Sequence, residues 1–243
     1  MIELGVLLFS AFLLLVLSLW KRKSPAKIRD LVASHNLKRS LGLSVEDGTR
    51  MHVSIGSGSL LNARGGSAFA GLSLLRHITE RTSVSDQPAV ASAGDAMLGL
   101  LSQDTLQAGY HAAGVDELYV PTAGRVTGLS PFSFAAGAMD ISRNEDVSVN
   151  IMVGHFGAEA GLLADASDRE NVSVIGASDD LVGQAVLFAS TQDALIGEEL
   201  FATGAYLGAG PSHTASLTVQ DILRWLVVLA LLGGAFAKFT GIF

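Results

Sequence analysis

The sequence predicts an α/β fold: a layered domain on a mostly parallel sheet, with an N-terminal transmembrane helix and a second hydrophobic helix at the C-terminus. Three observations predict it. Short β-branched runs alternate with helix-length amphipathic stretches through the middle of the chain, both ends are apolar, and the basic residues crowd behind the first apolar run.

The first apolar run, Ile2 to Trp20, is broken only by Glu3 at its edge and by Ser10 and Ser18. About 19 residues at about 1.5 Å each span roughly 28 Å, close to the hydrocarbon thickness of a bilayer. A cleaved signal peptide would carry its charge ahead of the apolar run and a small-residue cleavage site behind it. Here the charge follows, at Lys21, Arg22 and Lys23, so a retained anchor over residues 1–20 is expected. This collar places the N-terminus outside and the main domain on the cytoplasmic side. Residues 21–48 read as a basic juxtamembrane connector.

The charge is strongly asymmetric. Seven of the 16 basic residues lie before residue 40, against only Glu3 and Asp30 among the 23 acids. The rest of the chain keeps 9 basic and 21 acidic residues, a net of −12. Such an acidic body repels a phosphate backbone, so nucleic acid is not expected as a partner. The mean hydropathy of +0.43 points to membrane segments or buried interfaces. The absence of cysteine excludes disulfides, thiolate metal sites and cysteine nucleophiles.

Between residues 49 and 210 the apolar runs Met51 to Ile55, Ala89 to Ser92, Leu118 to Val120, Val147 to Val153 and Val172 to Ile175 read as strands. Gly66 to Arg81, Asp95 to Ala113, Ser130 to Asn144, Ala158 to Asp168 and Asp179 to Ser190 read as the helices between them. This alternation makes a Rossmann-like layering with right-handed crossovers the expected cytoplasmic domain. Leu195 to Gly208 reads as a further helix with small residues on one side, ended by Pro211.

Over residues 218–243, Thr218 and Asp221 have the spacing of an N-terminal capping box, and an uncharged run from Trp225 to Ala237 follows. Counted from Ile222 to Phe243, the segment reaches about 30 Å if Lys238 snorkels to the far interface. A second span is expected, with a hydrophobic helix in a subunit interface as the alternative. Ala230, Gly233, Gly234, Ala235 and Ala237 give it small residues that permit close helix approach.

The run IGEELFATGAYLGAGPSHTASLTVQDILRWLVVLALLGG resembles an uncharacterised bacterial family, a domain of unknown function with hydrophobic terminal segments. The runs MHVSIGSGSL, ASAGDAMLGL and VGHFGAEAGLLADA are similar to the same family, so the resemblance covers most of the chain. It implies association with a bacterial cell membrane and supplies no activity.

Ligands in layered α/β folds bind where strands end and helices begin, which selects Gly56, Gly58, Gly94, Asp95, Arg125, Gly154, His155 and Asp179 as candidate ligand-binding positions. Gly56-Ser-Gly58 lacks the third glycine of a dinucleotide fingerprint, since Leu61 holds its place, and there is no Gly-Lys-Ser/Thr phosphate loop. His155 and Glu159 could form a metal or acid–base pair, with no third ligand evident. Helix capping accounts for Asp95 and Asp179 without a ligand, and an acid partner accounts for Arg125. No Gly-x-Ser-x-Gly elbow is present, so no catalytic residue, metal or cofactor is assigned. Two functional readings follow. The first is a scaffold in the lipid bilayer that assembles with itself as a homo-oligomer and is not an enzyme. The second is a membrane-tethered domain that binds or transforms a small ligand at the strand ends.

Overall fold

The structure is a computed structural model that describes residues 2–21, 32–61, 65–208 and 210–240. The chain divides into two compact units, Met1–Arg29 with Gly208–Phe243, and Asp30–Leu207.

The first unit pairs α1 (Ile2–Lys21) with α9 (Pro211–Phe239). Leu17, Ala215 and Val219 are buried between them, flanked by Leu13, Ile222 and Leu223, and Ser18 meets Ser212 at 3.2 Å. The other large side chains of the unit, among them Leu8, Phe12, Trp225, Leu229, Leu232 and Phe236, face outward. Helix α9 runs unbroken for 29 residues, about 43 Å, because Pro211 sits in its first turn, where a missing N–H costs nothing. Thr218 is therefore inside the helix rather than its cap, and its hydroxyl donates to Thr214 O at 3.1 Å. Among the described residues only Ser212–Phe239 is long and apolar enough to cross a bilayer, with a mean hydropathy of 1.8. The apolar stretch of α1, Leu4–Trp20, is shorter, roughly 25 Å long. Of the two ends, the C-terminal helix is thus the stronger candidate span. The residues around Arg22 and Lys23 lie outside the described ones.

The second unit is α/β. Its strands are β1 (Arg50–Gly56), β2 (Val90–Ala93), β3 (Gly124–Val126), β4 (Val147–His155), β5 (Ser173–Ser178) and β6 (Asp193–Leu195). They form one sheet in the order β3-β2-β1-β4-β5-β6, with every pair parallel. Its helices are α2 (Val32–Glu46), α3 (Gly65–Thr82), α4 (Ala96–Ala113), α5 (Pro131–Asn144), α6 (Ala160–Arg169), α7 (Leu181–Ser190) and α8 (Glu199–Tyr206). Met51, Val53 and Ile55 of β1 point to one face with Ile151 and Val153 of β4, into a core closed by Leu37 and Leu41 of α2, Leu74, Leu75 and Ile78 of α3, and Leu200 of α8. On the other face, Phe134 of α5, Leu163 of α6 and Leu187 of α7 pack with Met152 and Phe156. A sheet covered on both sides is the arrangement that parallel strands require.

Where expectation and structure differ, the cause is local. The stretch read as a connector is helical over Val32–Glu46, because Leu37 and Leu41 recur at the helical period and reach the core. Leu118 to Val120 does not form a strand. Leu118 ends one short 3-10 turn and Pro121 opens another, where proline forbids a ladder bond, so the edge strand forms at Gly124–Val126. The helix read from Leu195 begins later, at Glu199, because Asp193–Leu195 pairs with β5 as the opposite edge strand.

Candidate functional site

The sheet order reverses between β1 and β4: the chain leaves β1 toward β2 on one side and leaves β4 toward β5 on the other. Connections that diverge in this way open a crevice at the C-terminal strand ends, the usual ligand position in open α/β sheets.

The turns at this crevice are stitched together by backbone. Ser57 N–H donates to His155 O at 3.0 Å, Gly94 N–H to Gly56 O at 2.9 Å, and Asp179 N–H to Gly154 O at 3.3 Å. Gly56 has a φ of +82°, and a Cβ there would stand 2.3 Å from His155 O. Gly94 and Gly58 are equally closed, with Ser57 Cα and His155 Cβ at 2.8 and 2.6 Å from where a Cβ would be, and Gly154 faces Ile55 O at 1.9 Å. These glycines allow strand ends to touch one another. Ser178 Oγ adds a clasp, donating to Phe156 O at 2.8 Å and accepting from Asp180 N–H at 3.1 Å.

Two polar pairs sit in this frame. His155 Nδ1 lies 2.6 Å from Asp179 Oδ1, and both side chains are about four-fifths shielded from solvent. A carboxylate at Nδ1 fixes the orientation of the imidazole. Next to it, the buried Glu159 accepts from Gly157 N–H at 2.9 Å and from the Ser57 hydroxyl at 3.4 Å. Ser57 therefore gives its proton to a carboxylate, which is not the serine-to-histidine contact of an activated nucleophile.

The predicted positions separate clearly. His155 and Asp179 come together, and Asp179 is free to do so because Asp180 caps α7, accepting from Val182 N–H at 3.1 Å and Gly183 N–H at 3.4 Å. Asp95 caps α4 through Met97 N–H and Leu98 N–H. Arg125 is directed away from the crevice. It forks onto Glu145, which also binds Arg50, the first residue of β1, so this trio stands at the opposite end of the strands. Ser57 was not singled out from sequence, because a serine between two glycines carries no distinguishing pattern; Glu159 was visible only through its spacing from His155. Among the described residues, no group of three or more metal-ligating side chains comes together. Cavities form elsewhere: a polar groove of about 440 Å³ at the starts of β5 and β6, lined by Asp168, Asn171 and Asp193, and a shallow one of about 500 Å³ beside Arg125.

A doubly covered parallel sheet with a backbone-stitched crevice, accompanied by a long apolar helix, defines an α/β protein with one candidate membrane span. The chain matches the family described as Domain of unknown function (DUF6754) over residues 1–243, and it belongs to that family. No curated protein and no solved structure matches it.

Proposed function

We propose that the protein is a membrane-anchored scaffold whose Rossmann-like domain faces the bacterial cytoplasm and assembles with its own copies into a closed homo-oligomer. The observation that carries this reading is the apolar surface of the terminal helices. The most apolar window of α9 has none of its residues buried, while only a short seam of α9 is covered by α1. Nothing but lipid or other helices can cover such a surface in water. The strand order 3-2-1-4-5-6 supports the Rossmann-like layering. The collar at Lys21, Arg22 and Lys23 supports the cytoplasmic orientation.

Self-association is supported by α7, which buries only Gly183 and Leu187 and leaves Leu181 at 80% and Phe188 at 72% exposure. Open space around Gly233 and Gly234 of α9 leaves room for another helix to approach. The test is the mass of the full-length protein in mild detergent, beside a form lacking residues 1–29 and 208–243. A discrete oligomer that falls apart on truncation supports the scaffold. A monodisperse full-length monomer overturns it.

The His155–Asp179 pair favours a second reading, a tethered domain that binds a small ligand at the switch between β1 and β4. Calorimetric titration of small-ligand classes against the wild type and His155→Ala tests it. Binding lost in the variant supports the reading, and titrations without heat count against it.

A further inference from the structure

The sheet face beneath α5 buries polar side chains whose unmet hydrogen bonds form a matched set. Arg50 and His52 alternate along β1, and His52 stands level with Asn150 of β4 in the parallel register. His52 and Asn150 are fully buried, and so, nearly, is Ser142 of α5. Helix α5 packs on β1 and β4, and Ile141, the neighbour of Ser142, sits against Val90, the register partner of His52 on β2. Four buried atoms in this layer have no protein partner: His52 Nδ1, Asn150 Oδ1, Ser142 Oγ and Arg50 Nε.

Their chemistry is constrained by the bonds that are made. Ser92 Oγ donates to Ser54 Oγ at 3.2 Å, so it accepts from His52 Nε2–H at 2.8 Å. That tautomer leaves Nδ1 as an acceptor. Asn150 Nδ2 donates to Ser167 Oγ at 3.1 Å, so the amide atom left over is the carbonyl oxygen, a second acceptor. Two acceptors cannot satisfy each other. Arg50 Nε–H and the Ser142 hydroxyl are the unmet donors of the same layer. The smallest species with two donor and two acceptor sites is water, and buried water in proteins makes about three such bonds.

We infer that this layer is a binding site for one internal water molecule, which donates to His52 Nδ1 and Asn150 Oδ1 and accepts from Ser142 or Arg50. With Ser142 as its donor the water joins α5 to the two central strands, so the helix is held there through solvent as well as by direct packing.

The test is NMR on the full-length chain in mild detergent, with selective ¹⁵N labelling of histidine and asparagine. The expected result is a neutral His52 protonated at Nε2, with cross-relaxation from bound water to the Asn150 amide protons. A His52 protonated at Nδ1, which leaves no acceptor there for a water proton, overturns the proposal. So does the correct tautomer without a solvent cross-peak. In a variant with His52→Leu and Ser142→Ala, which keeps the Asn150 amide as reporter, the cross-peak is expected to vanish, and its persistence also counts against the site. Should that variant fail to fold, the wild-type tautomer and cross-peak decide the question alone.

Discussion

His52 gives the sharpest residue-scale prediction. Burial, with a smaller contribution from the charge of Arg125, lowers its pKa from 6.5 to about 3. The unfolded chain therefore takes up a proton below pH 6.5 that the folded chain refuses until about pH 3. Stability falls as pH drops through that window, by about 2 kcal/mol between pH 7 and 5. Urea unfolding of wild type and His52→Asn across this range should show the slope in the first and its loss in the second. Gly94→Ala should cost about 1–3 kcal/mol, because the new methyl meets Ser57 backbone that is fixed by the bonds of the neighbouring turns. An unchanged urea midpoint would contradict that close approach. At this scale the sequence was only partly legible. It put His155 and Asp179 at strand ends that could line one crevice, but their direct pairing depends on Asp180 taking the cap, and two adjacent aspartates look alike until the helix start is fixed. Arg125 illustrates the reverse case: it was read as following a strand at Leu118–Val120, whereas it lies within β3, and the direction of its long side chain is set by Glu145, distant in sequence until the fold closed.

For the elements, propensity and capping predicted most of what forms. The five helices between strands lie within two residues of the expected starts and one of the expected ends, because each carries its own amphipathic period and several carry a cap. Asp95→Ala should destabilise α4 by about 1 kcal/mol, read as a shift in the urea midpoint, since two backbone donors lose their acceptor. The edge strands were less legible: three residues each are too few to show a period, and their neighbours define them. Helix α9 was underestimated for a related reason, as its first two turns are polar and only continuity of the backbone joins them to the apolar part. Val228→Lys with Leu232→Lys on α9 should oppose insertion by about 2.5–3.5 kcal/mol per lysine near a bilayer centre. Alkaline extraction of membranes would then release more of the variant than of the wild type; equal retention would argue against α9 as the span.

Across the whole molecule, the alternation of strands and helices made the α/β class readable, and the parallel sheet follows from it, since helical crossovers join parallel neighbours. What pattern alone could not supply was which connections run to which side, and so where the order reverses. On the assembly reading, Phe188→Glu should lower the mass of the detergent-extracted particle while membrane retention is unchanged, because α7 is separate from the terminal helices in sequence and in unit. A particle of unaltered mass would remove α7 from the interface.

The pairing of α1 with α9 also bears on synthesis. Ser18 and Ser212 meet across 194 positions of chain, so α1 leaves the ribosome long before its partner helix is made. A product that stops short of residue 211 would carry α1 with its seam at Leu13 and Leu17 uncovered. That exposed seam distinguishes a chain cut short before α9 from one that carries it, a difference on which quality-control machinery that recognises lone apolar helices can act.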